Sequence, residues 1–289
     1  MSRSLTGLLL TLALVVLAGA AAPGSAAAAP ASAAAAKDGR TRVNSSRLNA
    51  RPFRGMVLVA VGDRVVCTGF VVAPRKVVTA AHCLARDPAA GNYRLRKDVP
   101  GALRLYRAYS EGAGGSQFES CTVSGLWAHP RFIRRNARDK AFGSHAHDYA
   151  VLTVPSTCVY PQNAIMRLWA TEASDGQIRP GSNVKLGGYP ADPRFRGMTG
   201  LNLWRTDGEV KPLGDDSRLL DTTGFVAQGM SGGPVWRTFD SDSPCGRPQC
   251  VVAILTECAV NGRGLCKLGD STRRAIRITP LVKRSIRRH

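Results

Sequence analysis

The chain has 289 residues, 44% of them hydrophobic and 21% charged, with a formal charge of +20 from 40 basic and 20 acidic side chains. These proportions are ordinary for a globular protein, exclude a disordered chain, a collagen-like fibre or a coiled coil, and leave room for one large or two small domains. The charge implies a weak attraction to anionic surfaces, but aromatics at 6%, with no basic stretch interleaved with stacking residues, exclude specific nucleic-acid binding.

Residues 1–29 have the layout of a secretory signal peptide. Arg3 precedes an apolar run, Leu8–Leu17, and small residues with Ala-x-Ala cleavage options follow to Ala29. The run is well short of the roughly 20 residues that a spanning helix needs. A secreted, extracellular protein is predicted. Residues 30–50 are Ala- and Pro-rich, then basic and polar, and read as a linker or pro-segment without a core of its own. Asn44-Ser45-Ser46 has the form of a glycosylation sequon. Cys67, Cys83, Cys121, Cys158, Cys245, Cys250, Cys258 and Cys266 are even in number and form no Cys-x-x-Cys. In an exported chain this predicts disulfides rather than a metal site.

From Arg51 onward, short β-rich runs recur between Gly, Pro, Asp and Asn. They are Met56–Val61, Val65–Val72, Val77–Ala80, Leu103–Tyr106, Tyr149–Val154, Val184–Gly187, Gly224–Val226, Pro234–Trp236 and Val251–Thr256. Many short strands with frequent turns predict an all-β sandwich or barrels. Only Ser271–Arg288 reads as helical, with Ser271 as a candidate N-cap and Ile276, Leu281 or Val282, and Ile286 on one face. Pro280 interrupts that pattern and predicts a kink or a later start.

Three strings carry chemistry: TAAHC at Thr79–Cys83, HDYAVL at His147–Leu152 and GMSGGP at Gly229–Pro234. They supply His82, Asp148 and Ser231 in that order. A serine hydroxyl is a weak nucleophile at neutral pH and needs an adjacent base. Histidine suits that task because its ordinary pKa lies near working pH. A buried carboxylate then fixes the imidazole tautomer and stabilises the imidazolium. Glycines around Ser231 permit a tight turn whose Gly229 and Ser231 N–H groups point at a developing oxyanion.

In these strings and their order, the chain from Arg51 to its end resembles the chymotrypsin/trypsin-like serine proteases. The resemblance implies two antiparallel six-stranded β-barrels, about 51–155 and 156–270, with a C-terminal helix at about 271–289. It also implies a serine endopeptidase acting on peptide or protein through an acyl-enzyme, a monomer without a cofactor, and a Cys67–Cys83 disulfide. GYPADP at Gly188–Pro193, LWRTDGEV at Leu203–Val210 and DTTGFVAQGMSGGPVW at Asp221–Trp236 resemble the secreted bacterial glutamyl-endopeptidase branch more closely. Two departures from the animal members stand out. Met230 occupies the place of the Asp that pairs with a new N-terminus after activation, and Ala227 that of a cysteine. Cys245–Cys250 and Cys258–Cys266 would then staple two loops and leave Cys121–Cys158. Four cysteines allow three pairings, so the two C-terminal bonds stay open at this level.

For specificity, the resemblance points to Phe225 and Val226 before the nucleophile and to Leu255, Thr256 and Glu257 on a later strand. Phe225 stands where trypsin-like members carry an Asp, and Leu255 where glutamyl members carry a His. An unpaired charge in an apolar pocket is costly, so medium-sized apolar side chains are the expected preference, with Lys or Arg through Glu257 as the second reading.

Other readings are weaker. Asp139 lies in a basic, strandless stretch, and His129, His145, His147 and His289 lack the context of His82. His145-x-His147 has no third metal ligand nearby, so no metal is predicted. An α/β-hydrolase elbow at Gly229–Gly233 requires a downstream acid and then His, but only His289 follows Ser231. A retired protease-fold protein acting as a basic binding module remains the rival from another class, although all the triad residues are present.

Overall fold

The computed structural model describes residues 39–61, 64–86, 94–95, 99–110, 120–133, 146–172, 174, 176–191, 202–212, 216–240, 242–258 and 273–289. The described strands are β1 (Arg40–Arg42), β2 (Met56–Val61), β3 (Arg64–Ala73), β4 (Lys76–Thr79), β5 (Ala85–Arg86), β6 (Arg94–Leu95), β7 (Leu103–Arg107), β8 (Cys121–Thr122) and β9 (Gly125–Ala128). They continue as β10 (Ala150–Thr153), β11 (Arg167–Leu168), β12 (Asn183–Gly188), β13 (Trp204–Glu209), β14 (Leu219–Thr222), β15 (Pro234–Thr238), β16 (Gln249–Cys258) and β17 (Arg273–Arg277).

Strands β2 and β16 are apolar on both sides along most of their length, and the packing explains why. In β2, Val57 and Val59 point into a core enclosed by the first sheet, whereas Met56, Leu58 and Ala60 join a central core shared with the second. In β16, Cys250, Val252 and Leu255 face the interior of the second sheet, whereas Val251 and Ile254 face the central core. Alternation along these two strands therefore sorts residues between two cores, whereas β7 alternates buried Leu103 and Leu105 with exposed Arg104.

The first sheet runs β8-β7-β2-β3-β4-β10-β9 and the second β1-β13-β12-β15-β16-β17-β14. Both paths are antiparallel and curl into half-barrels; short β11 adds parallel to β16, and β5 pairs with β6 apart from them. The expected chymotrypsin-type plan is present, with seven strands along each path among the described residues. Phe53 meets Trp236 edge-on at 6.4 Å between ring centroids and ties the two halves at the central core.

Three local readings change. Residues 40–50, read as linker, dock on the second sheet: Arg40–Arg42 pairs with Trp204–Thr206, and Val43 and Leu48 are buried in the central core. The segment has no core of its own and borrows one. Gly224–Val226 is not a strand; the ladder ends at Thr222, because Gly224 takes φ +103°. Residues Arg273–Arg277 continue the sheet, and the helix starts only at Pro280. Thr279 caps it by accepting from Val282 N–H, and Pro280, read as an interruption, sits where a missing N–H costs nothing. Among the described residues no helix is long and apolar enough to cross a membrane.

Disulfides join Cys67 to Cys83, Cys121 to Cys158 and Cys245 to Cys250. Cys266, and with it the expected Cys258–Cys266 bond, lies outside the described residues, as do Asp139, His145 and the signal-peptide segment.

Candidate active site

His82 lies in a short 3₁₀ turn, Ala81–Leu84, that leaves β4, and Asp148 lies just ahead of β10. The antiparallel β4–β10 ladder pairs Thr79 with Ala150 and so brings the two side chains together. Asp148 Oδ1 accepts the backbone N–H of His82 at 2.7 Å, and Oδ2 lies 2.6 Å from His82 Nδ1. The carboxylate side chain is 3% exposed, the imidazole 30%. With a carboxylate oxygen as its neighbour, Nδ1 is the donor, which leaves Nε2 as the acceptor of a neutral imidazole.

The Cys67–Cys83 bond pins the turn that carries His82. Cys67, His82 and Cys83 place potential metal-ligand atoms within 4.8 Å of one another, but the two sulfurs are bonded to each other.

Ser231 follows a turn built on Gly229, which takes φ +90°. A side chain there would clash with the Tyr189 carbonyl, 2.5 Å from an ideal Cβ. Gly232, at φ +83°, presses against Thr68, Thr79 and Ala80, so the serine turn packs against the segment leading into His82. Met230, Gly232 and Gly233 donate their N–H groups to Ala227, Leu255 and Met230 carbonyls. Among the described residues, no protein acceptor takes the N–H groups of Gly229 or Ser231. The Ser231 hydroxyl donates to the Thr256 carbonyl at 3.2 Å. Thr256 has no ladder partner, because the β16–β17 register shifts between Leu255 and Glu257. Such a bulge turns the backbone group out of the sheet.

Sequence reasoning missed Thr68. It is fully buried in β3, next to Cys67, and links the two sheets. Its N–H donates to the Ser231 carbonyl at 2.9 Å and its hydroxyl to the Gly229 carbonyl at 2.8 Å. The same hydroxyl accepts from Tyr189 N–H at 2.9 Å, and its carbonyl accepts from the Thr79 hydroxyl at 2.7 Å. No motif marks it, because its partners around the serine turn, Gly229, Ser231 and Tyr189, lie far away in sequence.

Most of the expected specificity residues are buried. Phe225, Val226, Leu255 and Thr256 are each 5% exposed or less, and the first three belong to the core of the second sheet. The Arg40 guanidinium lies 4.6 Å over the Phe225 ring. The Glu257 side chain lies outside the described residues.

One residue before Asp148, His147 belongs to a different environment. It stacks on His129 at 4.3 Å between centroids and lies 3.3 Å from Arg218 Nη1. Burial, then the neighbouring His129, Arg218 and Arg131, push its pKa down to about 4, while Asp216 pulls the other way. Burial and Arg131 also lower that of His129.

Comparisons with known proteins bear on the family and the fold. The model of the trypsin-like peptidase domain matches residues 67–241. The chain is 27% identical over 250 residues to a glutamyl endopeptidase of Bacillus licheniformis, a match that covers 85% of this chain and 65% of that relative. A solved structure of a Glu endopeptidase in complex with MPD superposes with a TM-score of 0.61 at 18% identity, over 87% of this chain and 96% of that one. The half-barrel pair and the family match lead to one conclusion: the chain belongs to the trypsin-like peptidase domain family and has the chymotrypsin-like fold.

Proposed function

We propose that the protein is a secreted serine endopeptidase that cleaves peptide bonds through Ser231, His82 and Asp148. The observation that carries this reading is the double grip of Asp148 on His82, which leaves the imidazole one acceptor nitrogen. In the reaction the Ser231 hydroxyl rotates off the Thr256 carbonyl and attacks the scissile carbonyl carbon, while His82 Nε2 takes its proton. The carbonyl oxygen gains the charge and accepts from Gly229 and Ser231 N–H. Collapse of this intermediate breaks the C–N bond, and His82 gives its proton to the leaving amine. Water then repeats the sequence on the acyl-enzyme and releases the acid and Ser231. Asp148 holds the imidazolium throughout without taking the proton.

The three disulfides and the leader at 1–29 support export. The rival reading, a binding module without catalysis, has no use for the buried carboxylate grip.

For specificity, the apolar surroundings of Phe225 and Val226 support medium-sized apolar side chains before the cleaved bond. A second reading, acidic side chains, is favoured by the cation of Arg40 over Phe225 and by the names of the relatives. Cleavage profiling on a peptide library separates the two.

The test of the function itself is Ser231→Ala in the mature protein. It should remove nearly all peptidase activity and leave the melting temperature close to the parent. Residual catalysis of about 10³–10⁴ over water is expected from the oxyanion site and binding. Parent-like turnover by a folded Ser231→Ala protein would refute the proposal.

A further inference from the structure

A cavity of about 720 Å³ opens on the far side of the Asp148 loop, between that loop, residues 217–218 and the start of the C-terminal helix. His147 lines it; Asp148, His82 and Ser231 do not. Neighbouring residues of one loop thus serve two separate concavities. Asp148 turns into the first sheet to hold His82, and His147 faces this second space.

Its lining has two characters. Arg131, Arg218, Arg284 and Arg288 contribute four guanidinium groups, against Glu172 as the one acid among the described lining residues. Asp216 forks onto Arg218 at 2.8 and 2.6 Å and offsets part of that charge, but it also holds the guanidinium in place. The C-terminal helix lies along the cavity wall from Thr279 to His289, so both of its ends border the space and the charge of the wall comes from the arginines. The local field is therefore positive, and it adds to the burial that lowers the pKa of both His147 and His129. Several anionic groups would be welcomed here, and arginine forks match carboxylates well.

The second character is apolar. Leu281 is 70% exposed, one of two large hydrophobic side chains so placed among the described residues, and it sits on the rim of this cavity. Ala146, Tyr149 and Val282 extend the same wall. A purely ionic ligand such as a polyphosphate chain would leave this surface in contact with water. A peptide that combines carboxylates with a large apolar side chain would use both halves of the lining.

We propose that this cavity is a second binding site, for an acidic segment of a partner protein that carries a large apolar side chain. The inference rests on the cavity alone and needs no turnover at Ser231. Charge steers the segment in, and the apolar contact with Leu281 sets the register.

The probe is a short fluorescein-labelled peptide of alternating Glu and Leu, titrated by anisotropy into the full mature chain carrying Ser231→Ala so that it is not cut. Arg131 and Arg284 are exposed, so the double variant Arg131→Gln/Arg284→Gln should fold, which its melting temperature checks. It should weaken binding about tenfold or more. Leu281→Ser should weaken it about threefold or more, and exchange of Leu for Ser in the peptide should do the same. Lys211→Gln removes an exposed charge that does not line the cavity and should leave the affinity unchanged.

Two results would overturn the proposal. One is equal binding by the double variant and its parent, or an equal loss in Lys211→Gln, which would show only diffuse attraction to a basic surface. The other is tight binding of inorganic polyphosphate, sensitive to the two arginines but not to Leu281, with no measurable binding of the peptide. Because the readout is binding and not hydrolysis, failure here leaves the reading of Ser231 untouched, and failure of that reading leaves this one standing.

Discussion

Asp148 and His147 are adjacent in sequence yet belong to opposite chemical settings. Asp148 is buried, and both carboxylate oxygens are engaged by His82, a partner delivered by the β4–β10 ladder. His147 is half-buried, stacked on another imidazole and surrounded by arginines. Asp148 has both oxygens committed to one partner, whereas burial and the neighbouring cations oppose the charged form of His147. The lesson is that one loop, entering β10, divides the molecule into a site that organises a proton and a cavity that repels one.

The sharpest break of this comparison is Asp148→Asn. The amide presents the wrong partner to His82 Nδ1, so turnover should fall by about 10⁴-fold while the fold survives. Kinetics and the melting curve check both parts. If Asp139→Asn had that effect and Asp148→Asn did not, the assignment would be reversed.

Thr68→Val comes next in size. It removes a hydroxyl that bridges Gly229 and Tyr189 at nearly constant volume. Each buried group left unsatisfied costs roughly 1–3 kcal/mol. Because the Gly229 turn loosens, kcat should fall by more than KM rises, and Thr68→Ser should restore much of it. A Thr68→Val enzyme that is less stable but has unchanged kcat would make Thr68 a purely structural residue.

The smallest effect concerns pH. The His147 pKa is about 4 in the folded protein, below the ordinary 6.5. Between those values the unfolded chain binds a proton that the folded chain refuses, so stability is full above about pH 6.5 and declines as pH falls towards 4. His147→Gln should flatten that acid-side decline in melting temperature. An equally steep decline in the variant would assign it to other groups, His129 among them.

What could be read from the sequence was local. TAAHC, HDYAVL and GMSGGP each fold into one short turn or strand entry, so their residues can be recognised without knowing what they touch. The Cys67–Cys83 bond followed from the same resemblance and is present. What escaped was assembled from distant parts. Val43 and Leu48 look like stray apolar residues in a polar linker, because their core is supplied by the two sheets. Pro280 looks like a break in a helix, because the preceding Arg273–Arg277 strand is defined by pairing with β14 and β16. Thr68 and the arginine cavity depend on contacts over more than a hundred residues and leave no pattern along the chain. Phe225 and Leu255 were placed at a pocket by alignment, and their burial shows core packing as well.

The central claim is that His82, gripped by Asp148, activates Ser231. Its most direct test is labelling of the mature protein with a serine-directed fluorophosphonate, followed by peptide mapping of the adduct. The account predicts a single stoichiometric label on Ser231, lost in Ser231→Ala and slowed by orders of magnitude in a folded His82→Ala protein. No label on the folded parent, or a label that persists at full rate without His82, would contradict it.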